Sequence, residues 1–275
     1  MTVRDLMRHT SGFTYGMFGD TRVDALYREA EPLGAGSLPE MMELLSELPL
    51  LCAPGSCWNY GVSTDVLGRV IEVASGSSLD AFLRQRIFEP LGMEDTGFSV
   101  SEEKLDRVAA LYELSEEGLR ILQAPWMSEP AAAPGLLSGG GGLYSTAADY
   151  LRFLRMIARG GELDGVRLLK PETVAEMRRN QLAGELVPIA VTGPARGLGF
   201  GLGFAVRVAE SEDAPAAAVG DYGWDGLAST HAWISPEHDL IVVTLEQTMP
   251  FSFRTADAVR APLYAAVTGE PATAP

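Results

Sequence analysis

Lysine is nearly absent. Of 21 basic residues in the 275-residue chain only two are lysine, Lys104 and Lys170, so chemistry that needs a lysine amine must use one of them. Histidine and cysteine are scarce as well: His9, His231 and His238, with Cys52 and Cys57. That inventory cannot form a finger-type zinc site at recognised spacing, and no His-Glu-x-x-His occurs, so no metal is expected. No run of Lys/Arg exceeds a pair, and 37 acidic residues give a formal charge of −16. A polyanion needs a basic stripe to displace its counterions, which excludes nucleic acid as a partner. No apolar run is long enough to span a bilayer. The first residues lack a basic start followed by an apolar block, so no signal peptide is visible. This favours a cytoplasmic setting, and two free thiols over a small Cys52–Cys57 disulfide loop.

What is present is a globular composition, 47% hydrophobic and 21% charged. At about 150 residues per domain the length fits one large domain or two lobes. Ser and Thr caps followed by apolar residues at 3- and 4-residue spacing predict helices over 3–8, 23–30, 41–48, 64–75, 79–88, 147–158 and 171 to about 180. Ser63 is the expected cap of the fourth and Pro90 the expected stop of the fifth. Capping boxes are expected at Ser37–Glu40 and Thr146–Asp149. Residues 107–114 alternate weakly, as in a strand, and Gly139–Gly142 reads as a flexible loop. From 197 the period changes to 2. Gly197–Phe204 puts four glycines on one face, and Leu227–Ser235 and Leu240–Gln247 read as strands joined by a turn at 236–239. A last helix is expected over 256–267. Helices, then antiparallel strands, then one helix make an α+β pattern, with residues 1–185 mainly a helical lobe and 186–275 strands and the final helix.

Several chemistries fail on pattern. The glycines of Gly197–Gly203 lie inside a strand pattern, not between a strand and a helix, so they are no dinucleotide fingerprint, and no cofactor is expected. No Gly-x-Ser-x-Gly elbow occurs. His231 has no Ser/Asp set in a triad arrangement.

Three segments in series are more specific: Thr2-Val-Arg-Asp-Leu-Met-Arg-His-Thr-Ser-Gly-Phe13; Pro54-Gly-Ser-Cys-Trp-Asn-Tyr60-Gly-Val-Ser-Thr-Asp-Val-Leu-Gly68, followed by Phe88-Glu-Pro-Leu-Gly-Met-Glu-Asp-Thr-Gly-Phe98; and Ser138-Gly-Gly-Gly-Gly-Leu-Tyr-Ser-Thr-Ala-Ala-Asp149, with Gly223-Trp-Asp-Gly-Leu-Ala-Ser-Thr-His-Ala-Trp-Ile-Ser-Pro236. Together they resemble the serine β-lactamase-like hydrolases, in the branch of class C β-lactamases, D-aminopeptidases and family VIII carboxylesterases. The Trp-x-Gly form of the last motif is most similar to the esterases. The resemblance covers about residues 1–269.

The resemblance implies a β-lactamase/transpeptidase-like fold, an antiparallel sheet flanked by helices plus a helical lobe. It implies acyl transfer through an acyl-enzyme, without cofactor, on a small-molecule ester or amide. A serine in Ser-x-x-Lys attacks, the lysine one turn on keeps the proton mobile, a tyrosine serves as base and then acid, and two backbone amides hold the oxyanion. Here Tyr60 takes the tyrosine position. The family's asparagine falls on Val62, with Ser63 the nearest polar substitute. Trp224 stands where the lactamases carry a cation, so a carboxylate-bearing substrate should bind less well than an apolar acyl or alcohol group. Gly226 keeps the backbone approachable and the Leu227 amide is the implied oxyanion donor. Asp225 is unexpected, because a carboxylate facing an oxyanion opposes catalysis.

Ser-x-x-Lys occurs once, at Ser101–Lys104, because Arg167 stands three residues before Lys170. Its flanks are polar and it follows the other motifs, so it reads as coincidence. The family places its serine helix upstream of the Thr2–Gly12 motif. The expectation is therefore a family member lacking the N-terminal nucleophile segment and inactive as this chain. An uncovered apolar cleft and an open sheet edge are expected, with marginal stability or self-association. A β-lactamase or D-aminopeptidase specificity, and a non-catalytic ligand- or partner-binding role, are the alternatives.

Overall fold

Side-chain caps set most helix starts. In the computed structural model, which describes residues 1–116, 118–123, 130–191, 196–212 and 217–269, Thr2 and Thr21 open α1 (Val3–Met7) and α2 (Arg22–Ala30). Each accepts from the amide three residues on, and the aspartate there accepts from the cap's own amide. Two orphan amides are satisfied at each start. Ser37 opens α3 (Leu38–Ser46) through the Glu40 amide, but the Glu40 carboxylate accepts from Gly36, so that expected box is half made. α4 (Ser63–Ser75) has no side-chain cap: Val62 precedes it and Ser63 is its first helical residue. Gly76, left-handed, ends it.

Ser78 opens α5 (Leu79–Leu83), and the expected stop at Pro90 is passed. A π turn over Arg84–Phe88 leads into α6 (Glu89–Leu91), where Pro90 sits in the first turn. The strand expected over 107–114 is instead a 3₁₀ turn, Glu102–Arg107, followed by β1 (Tyr112–Ser115), which pairs with β2 (Gly118–Ile121). Thr146 caps α7 (Ala147–Ala158) as expected. Asp149 does not return the bond; its carboxylate accepts from the Asp95 amide at 2.7 Å and the Thr96 hydroxyl at 2.9 Å. β3 (Glu162–Leu163) and β4 (Val166–Arg167) form a short hairpin before α8 (Pro171–Met177).

The glycine-rich run is not one strand. β5 (Leu198–Phe200) and β6 (Ala205–Arg207) form a hairpin that turns at Gly203, φ +88°. The glycines do serve close approach: a Cβ on Gly201 would lie 2.0 Å from the Met177 carbonyl at the end of α8. β7 (Tyr222–Gly226), β8 (Thr230–Ser235) and β9 (Leu240–Leu245) follow. The strand expected from Leu227 starts three residues later, because 227–229 form the β7–β8 turn. β10 (Thr248–Met249) pairs with β1 in parallel, and α9 (Arg254–Thr268) is the last element among the described residues.

The main sheet runs β5-β6-β7-β8-β9, antiparallel throughout. Alternation along β8 splits its side chains between two cores. Ala232 and Ile234 pack with Leu154 and Ile157 of α7; Trp233 packs with Ala256 and Tyr264 of α9. A third core, around Tyr27, Met41, Val62 and Leu79, fills the helical lobe. β9 is an end strand of the sheet, and among the described residues its outer edge pairs with nothing. No helix among those residues is long and apolar enough to cross a membrane.

The cysteines are not free thiols. Cys52 and Cys57 form a disulfide with a Cα separation of 6.3 Å. The intervening turn, with Gly55 at φ +85° and the Ser56 amide donating to the Ala53 carbonyl, brings them within bridging range. An argument from compartment alone could not see that turn.

Candidate active site

The segment before Tyr60 is laid along residues 9–13 by backbone hydrogen bonds. The Leu51, Gly55 and Asn59 amides donate to the carbonyls of Gly12 (2.8 Å), Thr10 (2.7 Å) and His9 (2.9 Å). The Asn59 side chain donates to the Phe13 carbonyl at 2.9 Å. This pairing brings the His9 and Tyr60 ring centroids to 4.9 Å. Tyr15 and Phe18 stand at 5.1 and 5.7 Å on other sides of Tyr60.

The sheet supplies the remaining wall. Trp224 of β7 lies with its ring centroid 5.1 Å from that of Tyr60, and its indole Nε1 donates to the Tyr60 hydroxyl at 3.3 Å. Tyr15 also hydrogen-bonds the Tyr60 hydroxyl. Phe200 of β5 packs edge-on against Trp224 at 5.2 Å. Tyr60 thus sits where the helical lobe meets the sheet.

Burial raises the Tyr60 phenol above its ordinary range; the hydrogen bonds from Trp224 and Tyr15 oppose the rise, and the Asp65 and Asp225 carboxylates add to it. Tyr15 is pushed up, first by burial and then by Tyr60 and Asp65. Burial pushes the His9 imidazole down to about 4, so it is neutral at pH 7. Asp65, on α4, is raised by burial against hydrogen bonds from the Ser138 hydroxyl and the Gly140 amide. Its second oxygen, Oδ2, is buried without a hydrogen-bond partner. The Gly139–Gly142 stretch is therefore packed, not simply a flexible loop: a Cβ on Gly140 would lie 2.7 Å from the Tyr15 hydroxyl and 2.8 Å from Asp65 Oδ2.

Gly226 and Leu227 lead from Trp224 into the β7–β8 turn, where the Leu227 side chain is half exposed. The turn is fastened from behind. Ser229, fully buried at φ +59°, donates from its hydroxyl to the Thr248 carbonyl and accepts from the Ser252 amide. Asp225 points to the opposite face from Trp224, by the alternation of β7. Its Oδ1 lies 2.8 Å from His231 Nδ1, and His231 Nε2 donates to the Ser252 carbonyl at 2.9 Å.

Of the residues singled out by sequence, Tyr60 and Trp224 are in direct contact, and Gly226 and Leu227 continue from Trp224. Ser63 is fully buried, with its hydroxyl 2.7 Å from that of Ser11. Ser101 starts a 3₁₀ turn, and Lys104 pairs with Asp95. Sequence reasoning assigned no role to His9, Tyr15, Phe18 or Asp65. The first two lie within and just beyond the His-Thr-Ser-Gly-Phe motif, which was the available signal.

A helix-flanked antiparallel sheet joined to a helical lobe, with a tyrosine of the lobe facing a Trp-x-Gly strand, defines a β-lactamase/transpeptidase-like fold. The chain belongs to the Beta-lactamase family, whose profile matches residues 1–266. It is 35% identical over 255 residues to protein Rv1367c of Mycobacterium tuberculosis, covering 90% of this chain and 62% of that protein. It is 34% identical over 260 residues to esterase EstB of Burkholderia gladioli, covering 85% of this chain and 61% of that one. Among solved structures it is similar to EstCE1, a hydrolase with promiscuous acyltransferase activity, at a TM-score of 0.81 and 25% identity over 96% of this chain and 72% of that chain. The chain spans about three-fifths of the length of these two curated relatives.

Proposed function

We propose that this protein belongs to a carboxylesterase-like hydrolase that works through an acyl-enzyme, with Tyr60 as the proton carrier and the Leu227 amide as one oxyanion donor. The hydrogen bond from Trp224 to Tyr60 carries this reading. It couples the lobe's phenol to the strand whose next residues, Gly226 and Leu227, bear the amide. At neutral pH the raised phenol is protonated, which suits donation to a departing alkoxide. To act as base it needs a neighbouring cation, the role the family gives the lysine of Ser-x-x-Lys.

Trp224 and Gly226 are the proposed substrate-binding residues; Ser63, hydrogen-bonded to an equally buried Ser11, has no surface to offer a substrate. Trp224 and Phe18, partly exposed and backed by the buried Phe200, offer apolar and aromatic surface, which favours a neutral short acyl group over an anionic one. The names of EstB and EstCE1 agree with ester cleavage or acyl transfer. The 275 residues place no Ser-x-x-Lys beside Tyr60, so the attacking serine and its lysine are proposed to come from a segment other than these residues. The chain alone is then inactive. Self-association through the uncovered cleft belongs to the same proposal, and a monomer across a concentration series in light scattering would remove that part.

A chromogenic short-chain ester tests the chemistry. The expected result is no turnover by the chain alone, turnover after an upstream Ser-x-x-Lys segment is supplied, and its loss in Tyr60→Phe of that active form. Robust turnover by the chain alone, abolished by Ser101→Ala, would overturn the reading. Faster cleavage of a chromogenic cephalosporin than of the ester would assign β-lactamase specificity instead. Saturable ligand binding without turnover in the extended chain would favour a binding protein.

A further inference from the structure

We propose that the Cys52–Cys57 bridge is a reversible thiol–disulfide modification site that governs how firmly residues 57–60 are held against residues 9–13. The proposal does not depend on the esterase reading, because its readout is backbone protection and not turnover.

The bridge closes a six-residue loop whose tip, residues 53–56, is exposed, while both cysteines are half-buried. Each end of the loop runs directly into the site. On one side the Cys52 carbonyl lies 2.4 Å from where a Gly12 side chain would begin, so the two backbones are in contact. On the other, Cys57 is followed by Trp58, whose ring stands 6.2 Å from His9 and 5.7 Å from Phe200, and then by Asn59 and Tyr60. The Leu51, Gly55 and Asn59 amides that bond to residues 9–12 fall before, inside and after the loop. The covalent link therefore fixes the spacing of all three bonds at once.

Reduction is a two-electron exchange with a dithiol reductant. One reductant thiolate attacks a bridge sulfur and forms a mixed disulfide, releasing the other cysteine. The second reductant thiol closes on the mixed disulfide and leaves as a cyclic disulfide. Cys52 and Cys57 each end as thiols, having received two electrons and two protons in all. The freed loop regains the conformations that closure removed. For a loop this short that makes local opening more frequent by on the order of 30-fold.

Hydrogen exchange on the full chain tests this, comparing the oxidised form, the form reduced with dithiothreitol, and C52S/C57S. The expected result is faster exchange at the Gly55 and Asn59 amides, by on the order of 10- to 30-fold, with amides of α7 and β8 unchanged. Reoxidation should restore the oxidised pattern, and the double serine variant should match the reduced form and ignore the reductant. Three outcomes overturn the proposal. Both cysteines could react with a thiol reagent before any reduction. Protection over 51–60 could be the same in all forms. Exchange could accelerate throughout the chain, which would make the bridge a staple of the whole fold and not a local tether.

Discussion

Trp224 donates its indole N–H to the hydroxyl of Tyr60 at 3.3 Å, across 164 residues of chain. One residue belongs to the helical lobe and the other to the sheet, so the bond measures how the two halves meet. A donor to a phenol oxygen favours the phenolate. Trp224→Phe keeps a ring in place and removes the donor. Tyr60 should then titrate higher, by up to about one pH unit for a hydrogen bond of about 0.5–1.5 kcal/mol. Tyrosine Cζ resonances followed through alkaline pH check this, and an unchanged Tyr60 titration contradicts it.

Burial holds His9 neutral, with its folded value at about 4 against 6.5 for an unperturbed imidazole. Between those values the unfolded chain binds the proton and the folded chain does not. Stability from this site is therefore fully present above pH 6.5 and falls as pH drops toward 4, by up to about 3 kcal/mol. His9 has φ +56°, a conformation that asparagine tolerates. His9→Asn should flatten the decline between pH 6.5 and 4 in urea unfolding. An equally steep decline in the variant assigns it to other groups.

Gly140 lies where Tyr15 and Asp65 leave no room for a side chain. Gly140→Ala should displace the Tyr15 hydroxyl, raise the Tyr60 titration by removing its second donor, and cost about 1–3 kcal/mol. The control is Gly141→Ala, where a Cβ meets nothing within 4 Å and the change should stay within about 0.5 kcal/mol. Similar effects from both would mean that the packing around Tyr15 is not what matters.

Leu154 is 1% exposed in the core between α7 and the sheet, whereas Leu119 on β2 is 61% exposed. Leu154→Ala should cost about 2–5 kcal/mol, and Leu119→Ala about 0.5 kcal/mol or less. The urea midpoints of the two variants check the contrast.

Helix starts were legible in sequence where a cap stands directly before an apolar period, as at Thr2, Ser78 and Thr146, while the second helix left Asp20 and Thr21 both open and the structure caps it with Thr21. They were misread where the same side chain found a better partner. Ser63 turned to Ser11 instead of capping α4, and Asp149 and Glu40 took amides outside their boxes. The glycine run read as one strand because periodicity cannot show that Gly203 adopts a left-handed turn. The three motifs picked out Tyr60 and Trp224, but Tyr15 and Phe18 lie outside them, and Asp65, although inside the second motif, gains its place beside Tyr15 and Gly140 only through packing. Cys52 and Cys57 were misassigned because compartment says nothing about a local turn.

By itself the sequence determined the acidic charge, the caps and periods that make the helices, and the family to which the motifs belong. These follow from composition and from neighbours a few residues apart, where local hydrogen bonds and side-chain spacing dominate. Only the tertiary structure decided that Trp224 donates to Tyr60, that Asp225 turns to His231 on the far face of the sheet, and that Cys52 and Cys57 are bonded. Each of those depends on which face of a strand or turn meets a distant segment, and burial, not local preference, settles that choice.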